Sequence, residues 1–244
     1  MKIYFAGIES QRKIIERCKP KNVLFSFASA NEQSIKYALS SNCESFLLDS
    51  GAFTFLNTAK RVDFDSYVDR YIEFINHYSI PLFFEMDIDS IVGIQKVEEY
   101  RARIERFTGK QAIPVWHKSR GKQYFESMTK DYKYIAIGGI VTKEIKRSEH
   151  GYFKWFIDKA HENGCKIHGL GHTNMADVFE YRFDTVDSTT WINGGRFGNM
   201  ITFRDGIPKQ TTLRKQGYKV NGEKLTEHNL RQFMKFADYA EKYL

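Results

Sequence analysis

The chain has 244 residues, of which 42% are hydrophobic and 15% aromatic, and its formal net charge is +7. This size and apolar content suffice for one sizeable core, so we expect a single domain over 1–244. The sequence shows neither a run of about 18 apolar residues nor a signal peptide, which argues against a membrane protein and favours a soluble, cytoplasmic one. The positive charge is compatible with a polyanionic partner such as nucleic acid.

The cysteines Cys18, Cys43 and Cys165 are odd in number and far apart in the sequence. This pattern predicts neither a disulfide framework nor a CxxC metal site. We therefore expect free thiols in a reducing compartment.

Short runs typical of β-strands recur along the chain and alternate with segments that have helical spacing. In chain order these eight runs are KIYFAGI, NVLFSFAS, SFLLDSG, PLFFEMD, AIPVWH, YIAIGG, KIHGLG and FDTVDS. They are apolar enough on both faces to be buried parallel strands. Among the intervening segments, 63–78 has apolar residues at helical spacing behind the candidate N-cap Asp63, and about 226–243 predicts the last helix.

Eight alternations of strand and helix predict a (β/α)8 TIM barrel, because each parallel strand needs a helical crossover before the next. A doubly wound open sheet is the alternative. After the last predicted strand, NMITFRDGIPKQTTL predicts a hairpin that turns at Asp205 and Gly206. The surrounding segment 192–224 is either a solvated excursion or a basic lip beside the active face; its basic residues are Arg196, Arg204, Lys209, Arg214, Lys215, Lys219 and Lys224.

Acidic residues follow several of the predicted strands, and in a barrel the carboxyl ends of the strands share one face. Asp49 follows FLL, Asp87 follows FFEM with Asp89 two residues later, and Asp187 follows DTV. An Asp after a strand often caps the next helix. Three carboxylates on one rim nevertheless raise one another's pKa and cost stability, which favours a functional site.

Histidines near the same predicted rim suggest a different class of site. His117, His168, His172 and Asp187 are of the types that a barrel metal hydrolase uses as ligands. Such an enzyme normally has a further pair of ligands on the first strand, where this sequence offers only Glu9. A structural role in the core or rim is the default interpretation of each histidine, and His117 is the one most open to revision.

Five segments together resemble tRNA-guanine transglycosylases and the related phage enzymes that insert 7-deazaguanines into DNA. These segments are LLDSGAFTF at 47–55, FFEMDIDS at 83–90, YIAIGGIVTKE at 134–144, HGLGHTNMADVF at 168–179 and FDTVDSTTW at 183–191. They occur in the family's order and near its spacing, and the resemblance covers about 47–205. The most specific pieces are DSGAF and YIAIGGIV.

The resemblance implies a role for each acid on the rim. It makes Asp187 the nucleophile that attacks C1′ of the sugar, Asp49 the acid/base at the exchanged purine, and Asp87 the acid that recognises the base. In the D-x-x-D pattern the second acid attacks, so Asp184 is expected to form a structural salt bridge or to support a neighbouring loop.

The resemblance also implies a binding surface for the purine, formed by the backbone of Gly138, Gly139 and Ile140 together with Gly169. His117 stands about where the family has a glutamine, which leaves the selection of the base open at this position. Phe53 either stacks on the base or belongs to the core. No cofactor and no metal are implied.

The tRNA enzymes carry a zinc-binding insertion after the last barrel strand, whereas 192–244 contains no cysteine. The resemblance therefore favours the DNA-modifying branch, with guanine exchanged for a 7-deazaguanine base; a phage-encoded enzyme would act in the host cytoplasm. A minimal tRNA enzyme and a catalytically silent nucleic-acid-binding barrel are the alternatives, and a homodimer is left open. The candidate phosphate contacts are Arg196, Arg204, Lys118 and Arg120.

Overall fold

A computed structural model of the protein describes residues 1–55, 62–172, 177–213, 219 and 221–244, apart from the side chains of Ala52, Phe53 and Arg196. The fold is α/β. Its strands are β1 Lys2–Ala6, β2 Asn22–Ser26, β3 Ser45–Asp49, β4 Val115–Trp116, β5 Tyr134–Ile137, β6 Lys166–Gly169, β7 Thr185–Ser188, β8 Asn199–Arg204 and β9 Ile207–Thr212. Its helices are α1 Arg12–Cys18, α2 Glu32–Ala38, α3 Phe64–His77, α4 Asp89–Val92, α5 Ile94–Thr108, α6 Gly121–Asp131, α7 Phe153–Glu162, α8 Asp177–Glu180, α9 Asn193–Phe197 and α10 Gly222–Tyr243.

Seven of these strands form one curled parallel sheet in the order β3-β2-β1-β7-β6-β5-β4. In the middle of this sheet β1, the first of the seven strands along the chain, pairs with β7, the last of them, and Tyr4 lies opposite Asp187. Pairing of the first and last strands is what a closing sheet requires, and the half-barrel is consistent with a TIM-like barrel. Because the strands are parallel, their carboxyl ends lie at the same edge of the sheet.

The predicted fourth strand, PLFFEMD, is not assigned as a regular strand but lies between β3 and β4. It makes two isolated parallel bridges, Leu48 with Phe83 and Phe84 with Ile113. Its backbone hydrogen bonds to β3 are Leu48 N–H to the Leu82 carbonyl at 3.0 Å and Phe84 N–H to the Leu48 carbonyl at 2.9 Å. The segment therefore occupies the gap that separates the two ends of the seven-stranded sheet.

Two apolar clusters hold the fold together. The smaller one fills the inside of the curl and contains Tyr4, Leu24, Leu47, Phe84 and Val115 among its buried members. The larger one lies between the outer face of the sheet and the helices. Side chains of β1 to β5 alternate between these clusters, so these strands are buried on both faces, as their continuous apolar runs predict.

Local sequence signals account for the ends of the helices. Asp63 caps α3, with its carboxylate accepting a hydrogen bond from the Ser66 N–H at 3.1 Å, as predicted. Helix α10 begins at Gly222, before the predicted position 226, because the Asn221 side chain caps it by accepting from the Lys224 N–H. The predicted start of this helix lies too far along the chain because the apolar periodicity begins only after the capped first turn.

Strands β8 and β9 form a two-stranded antiparallel sheet that follows α9. Between them Asp205 and Gly206 both have positive φ, as a tight hairpin turn requires. The edge of β8 is bound to α10: the Ile201 N–H donates to the Asn229 side chain and the Phe203 N–H to the Gln232 side chain. Within the described ranges, none of the helices is long and apolar enough to cross a bilayer.

Candidate active site

A cavity of about 900 Å³ opens at the carboxyl ends of the strands. It is lined by residues that follow β3, the 82–84 segment, β4, β5, β6 and β7. Its lining includes the acids Asp49, Asp87, Asp89, Glu144 and Asp187 and the cations His117 and Arg120. Carboxyl groups therefore outnumber cations among the lining residues, and the cavity favours a ligand rich in hydrogen-bond donors.

Asp49 is the last residue of β3, and its carboxyl group faces this cavity. Its Oδ2 accepts a hydrogen bond from the Gly51 N–H at 3.1 Å. Burial raises the pKa of Asp49 to about 7, and the neighbouring charges of Asp87, Asp187 and Glu9 add to this rise. The Gly51 hydrogen bond opposes the rise without cancelling it. Asp49 can therefore gain and lose a proton near neutral pH, which is the property of a general acid/base.

Asp187 lies in β7 on the inner face of the sheet and is buried. Its Oδ1 accepts a hydrogen bond from the Gly171 N–H at 2.6 Å and lies 3.3 Å from Nε2 of His168. Donors of this kind stabilise a carboxylate and fix its orientation. The Gly171 N–H and the His168 ring therefore position the carboxyl group of Asp187.

His117 follows β4 and links two acids. Its Nε2 lies 2.6 Å from Oδ1 of Asp87, and its Nδ1 lies 2.9 Å from Oε2 of Glu144. Burial lowers the pKa of His117, but the hydrogen bonds to Asp87 and Glu144 and the charges of Asp87 and Asp89 outweigh it and raise the pKa to about 9. At neutral pH the imidazolium donates to both carboxylates, so neither ring nitrogen is left to read a base.

The double glycine after β5 is explained by this arrangement. A Cβ on Gly138 would lie 2.6 Å from Cε1 of His117 and 2.8 Å from its Nε2. A Cβ on Gly139 would lie 2.9 Å from Oε2 of Glu144, and Gly139 also has a φ of +81°. Both positions therefore need glycine for the His117–Glu144 pair to pack against the backbone.

Glu85 anchors a buried ion-pair network behind the cavity wall. It is fully buried and accepts hydrogen bonds from Arg101 at 2.8 Å, from Arg120 at 2.9 Å and from the Val115 N–H at 2.8 Å. Arg120 also donates to Asp89 at 3.0 Å. The network ties the 82–84 segment, α5 and the start of α6 to one another and holds Asp89 at the rim.

Three rim residues could also supply ligands to a divalent cation. Ligand atoms of Asp87, Asp89 and His117 all lie within 4.8 Å of one another. Their present contacts are those of a salt-bridge cluster, because Asp87 is bound to His117 and Asp89 to Arg120. A cation would have to replace both contacts.

The structure brings most of the predicted base-exchange residues together. Asp49, Asp87, His117 and Asp187 line the cavity together with Gly138 and Gly139. Gly169 lies one residue before the lining residues Leu170 and Gly171, and Ile140 packs partly against the larger apolar cluster. The predicted stacking side chain of Phe53 lies outside the described part of the molecule.

The structure describes the side chains of three of the four predicted phosphate contacts. Lys118 is exposed and pairs with Glu149, and Arg204 is exposed at the end of β8. Arg120 is inside the Glu85 network, with its side chain only 1% exposed, so it is not a surface contact. The side chain of Arg196 is not among those described.

Asp184 has the structural role expected of it. Its Oδ2 accepts a hydrogen bond from the Ile167 N–H at 2.8 Å and pairs with Nε2 of His161 at 3.0 Å. It therefore ties the start of β7 to β6 and α7, away from the cavity, as a D-x-x-D pattern with one functional acid predicts.

Sequence reasoning missed the partners of the site acids. Glu144 stands five residues after Gly139 in a loop, and nothing in the spacing signals that it returns to His117. Glu9 was considered only as a metal ligand. Its carboxylate accepts a hydrogen bond from the Ser26 N–H, and its charge contributes to the raised pKa of Asp49. His168 was considered only as a metal ligand or a structural histidine, although the alternation along β6 places it on the inner face, as the alternation along β7 does for Asp187.

No protein-family model matches this sequence, and no curated protein matches it. The resemblance to base-exchange enzymes therefore rests on the five sequence segments alone. The residues that line the cavity are a second, independent source of information about function.

Proposed function

We propose that this protein is a base-exchange transglycosylase that replaces guanine in DNA by a 7-deazaguanine through a covalent Asp187 glycosyl intermediate. The observation that carries the proposal is the pair of unlike acids in one cavity. Burial raises the pKa of Asp49 to about 7, whereas Oδ1 of Asp187 accepts the Gly171 N–H and lies beside Nε2 of His168. Nucleophilic displacement at a sugar C1′ needs one acid that can transfer a proton and a second acid that is positioned to attack.

The proposed chemistry proceeds in two displacements. Oδ2 of Asp187 attacks C1′ of the guanosine, the C1′–N9 bond breaks, and guanine leaves with the bonding electron pair and a proton from Asp49. N9 of the incoming 7-deazaguanine then attacks C1′, Asp187 leaves as a carboxylate, and the proton of the incoming base passes to Asp49. The covalent step divides one difficult substitution into two easier ones.

Asp87 and the double glycine would recognise the base. His117 holds Oδ1 of Asp87, and an ionised Asp87 can only accept hydrogen bonds from a ligand. A guanine-type base presents N–H donors on its Watson–Crick edge, whereas adenine presents an acceptor at N1. This difference supports selection of guanine and 7-deazaguanine over adenine.

The charge of the cavity supports entry of a base and its sugar without neighbouring phosphates. The acid-rich lining repels anions, so the phosphates of a nucleic acid would stay at the rim or on the positively charged surface. A guanine in duplex DNA would first have to leave the stack, at a cost of a few kcal/mol. A minimal tRNA enzyme has the same requirement on a tRNA loop and is the second candidate.

We also propose that the sheet closes into an eight-stranded (β/α)8 barrel, with 82–84 as its remaining strand. The two bridges to β3 and Ile113 support this closure. So do the hydrogen bonds from the Glu85 N–H to the Ile113 carbonyl and from the Ile113 N–H to the Phe83 carbonyl. In a closed barrel Asp87 would stand between Asp49 and His117 around the same rim.

The experiment is incorporation of labelled 7-deazaguanine into duplex DNA and unmodified tRNA, in parallel, by wild-type protein and Asp187→Asn. Label in DNA alone, lost in the variant, is the expected result. Label in tRNA alone would assign the protein to the tRNA branch. No label in either would overturn the proposal and leave a silent nucleic-acid-binding barrel.

A metal hydrolase is the competing enzyme class, favoured by the proximity of Asp87, Asp89 and His117. Metal analysis of the purified protein distinguishes the two. A stoichiometric divalent metal, lost in Asp89→Asn, would support the hydrolase, whereas base exchange that persists after chelation would support the transglycosylase.

A further inference from the structure

A chain of hydrogen bonds runs through the inside of the curled sheet and ends at Asp187. The Tyr134 hydroxyl lies 2.5 Å from Oγ1 of Thr185, and this Oγ1 lies 2.6 Å from Nδ1 of His168. Nε2 of His168 then lies 3.3 Å from Oδ1 of Asp187. His168 and Thr185 are buried, so solvent does not compete for these contacts.

The chemistry of each partner fixes the direction of the protons along this chain. An ionised Asp187 can only accept, so Nε2 of His168 carries a hydrogen and donates it. In the neutral imidazole Nδ1 is then an acceptor, so the Thr185 hydroxyl donates to it. Oγ1 of Thr185 is left to accept from the Tyr134 hydroxyl. Each donor is used once, and Thr185 selects the His168 tautomer that supports Asp187.

We propose that His168 is a positioning residue for the proposed nucleophile: its Nε2–H and the Gly171 N–H together hold Oδ1 of Asp187 and stabilise the carboxylate released in the second displacement. The inference rests on the proposed function, and it assigns a role to a residue that does not line the cavity. It also makes Oδ2 the oxygen that bonds to C1′.

The effect on the two displacements is opposite in direction. When Oδ2 attacks C1′, the electron pair of Oδ2 forms the ester bond and Oδ1 becomes the ester carbonyl. When N9 of the incoming base attacks, the C1′–Oδ2 bond breaks and its electron pair returns to the carboxylate. Donors at Oδ1 stabilise that charge, so they make Asp187 a better leaving group and a weaker nucleophile.

Loss of the His168 donor should therefore trap the covalent intermediate. We expect His168→Met, which fills the space without an N–H donor, to lower kcat about 10- to 100-fold, the effect of one lost hydrogen bond to a charged group. The fraction of protein attached to nucleic acid should rise at the same time, and KM for the base should stay within about twofold of wild type, since His168 does not touch the base. His168→Gln, which keeps a donor, should restore most of the turnover.

A matched pair of tyrosines separates this role from general packing. Tyr134 and Tyr4 both lie inside the curl beside the His168 ring, with ring centroids 6.4 and 6.3 Å away. Tyr134 is bonded to Thr185, whereas Tyr4 is bonded to Ser45 at 2.8 Å. Tyr134→Phe should slow release of the intermediate, and Tyr4→Phe should not. These variants test the chain of hydrogen bonds even if His168→Met folds poorly.

The protonation pattern can be read without any substrate. In ¹⁵N spectra of the imidazoles, with His168 assigned through His168→Gln, we expect a protonated Nε2 and an unprotonated Nδ1. The reverse pattern would overturn the inference whatever the activity. With exchange active in the wild type, a His168→Met protein that keeps kcat and shows no excess of covalent adduct would also overturn it, while the proposed function would stand. Wild-type protein without exchange would overturn the proposed function instead.

Discussion

Asp49→Asn should make the protein more stable while it removes the proposed acid/base. The folded environment raises the pKa of Asp49 from 3.8 to about 7, chiefly because the carboxyl group is buried. A rise of about three pKa units corresponds to about 4 kcal/mol of unfavourable free energy for the charged form. Because Asp49 lines the cavity and is not fully shielded from solvent, screening reduces this cost, and we expect a gain of about 1–2 kcal/mol.

The gain should depend on pH in a defined direction. Between pH 3.8 and about 7 the folded protein binds more protons at Asp49 than the unfolded chain, so wild-type stability falls as the pH rises through this window. Asparagine cannot ionise, so the stability of the variant does not fall for this reason as the pH rises. The stability difference between variant and wild type should be near zero below pH 4, should grow with pH, and should reach its full value above pH 7.

Urea unfolding followed by tryptophan fluorescence at pH 4 and pH 8 measures both quantities. Asp158→Asn is the control, because Asp158 is an exposed acid on α7 with 60% of its side chain accessible. It should show no such pH-dependent gain. An equal gain for Asp49→Asn at both pH values, or no gain at pH 8, would refute the assignment of Asp49 as a buried, strained acid.

Three further variants test other parts of the site. Gly138→Ala should raise KM for the base, because its Cβ would displace His117. Gly151→Ala is the control and should change neither KM nor the melting temperature, because a Cβ there would have nothing within 4 Å. Equal effects of the two variants would contradict the packing of His117 against Gly138. Glu85→Gln should cost about 3–5 kcal/mol in urea unfolding, because Arg101 and Arg120 both lose the fully buried carboxylate that they share. Asp87→Asn should raise KM for 7-deazaguanine about 10- to 100-fold with kcat little changed, since a charged hydrogen bond to the bound base is lost. A fall in kcat alone would show that Asp87 acts in the chemical step and not in binding the base.

The aspartates of the cavity could be predicted from the sequence because the fold places them by a simple rule. Parallel strands bring their carboxyl ends to one edge, so acids after β3 and in β7 meet although they are more than 130 positions apart. The position of Asp184 outside the cavity follows from the same alternation along β7. These inferences need only two facts: which segments form strands, and whether a residue stands at an odd or an even position along its strand.

The partners of those acids could not be predicted, because loops bring them back to the site. Glu144 reaches His117 through the path of the loop after β5, and Arg120 reaches Glu85 through the turn before α6. The fourth predicted strand is apolar enough to be buried, yet it forms only two bridges. How many ladder pairs a buried segment makes depends on the geometry of its neighbours, which the apolar pattern does not contain.

The central claim is that Asp187 carries the sugar of the substrate during the exchange. The direct measurement is to mix protein with guanine-containing DNA in the absence of an incoming base, denature it, and map the attached nucleotide by mass spectrometry. We expect a base-labile adduct on the peptide that contains Asp187, discharged by added 7-deazaguanine and absent from Asp187→Asn. An adduct on another residue, or full base exchange by Asp187→Asn, would contradict the account.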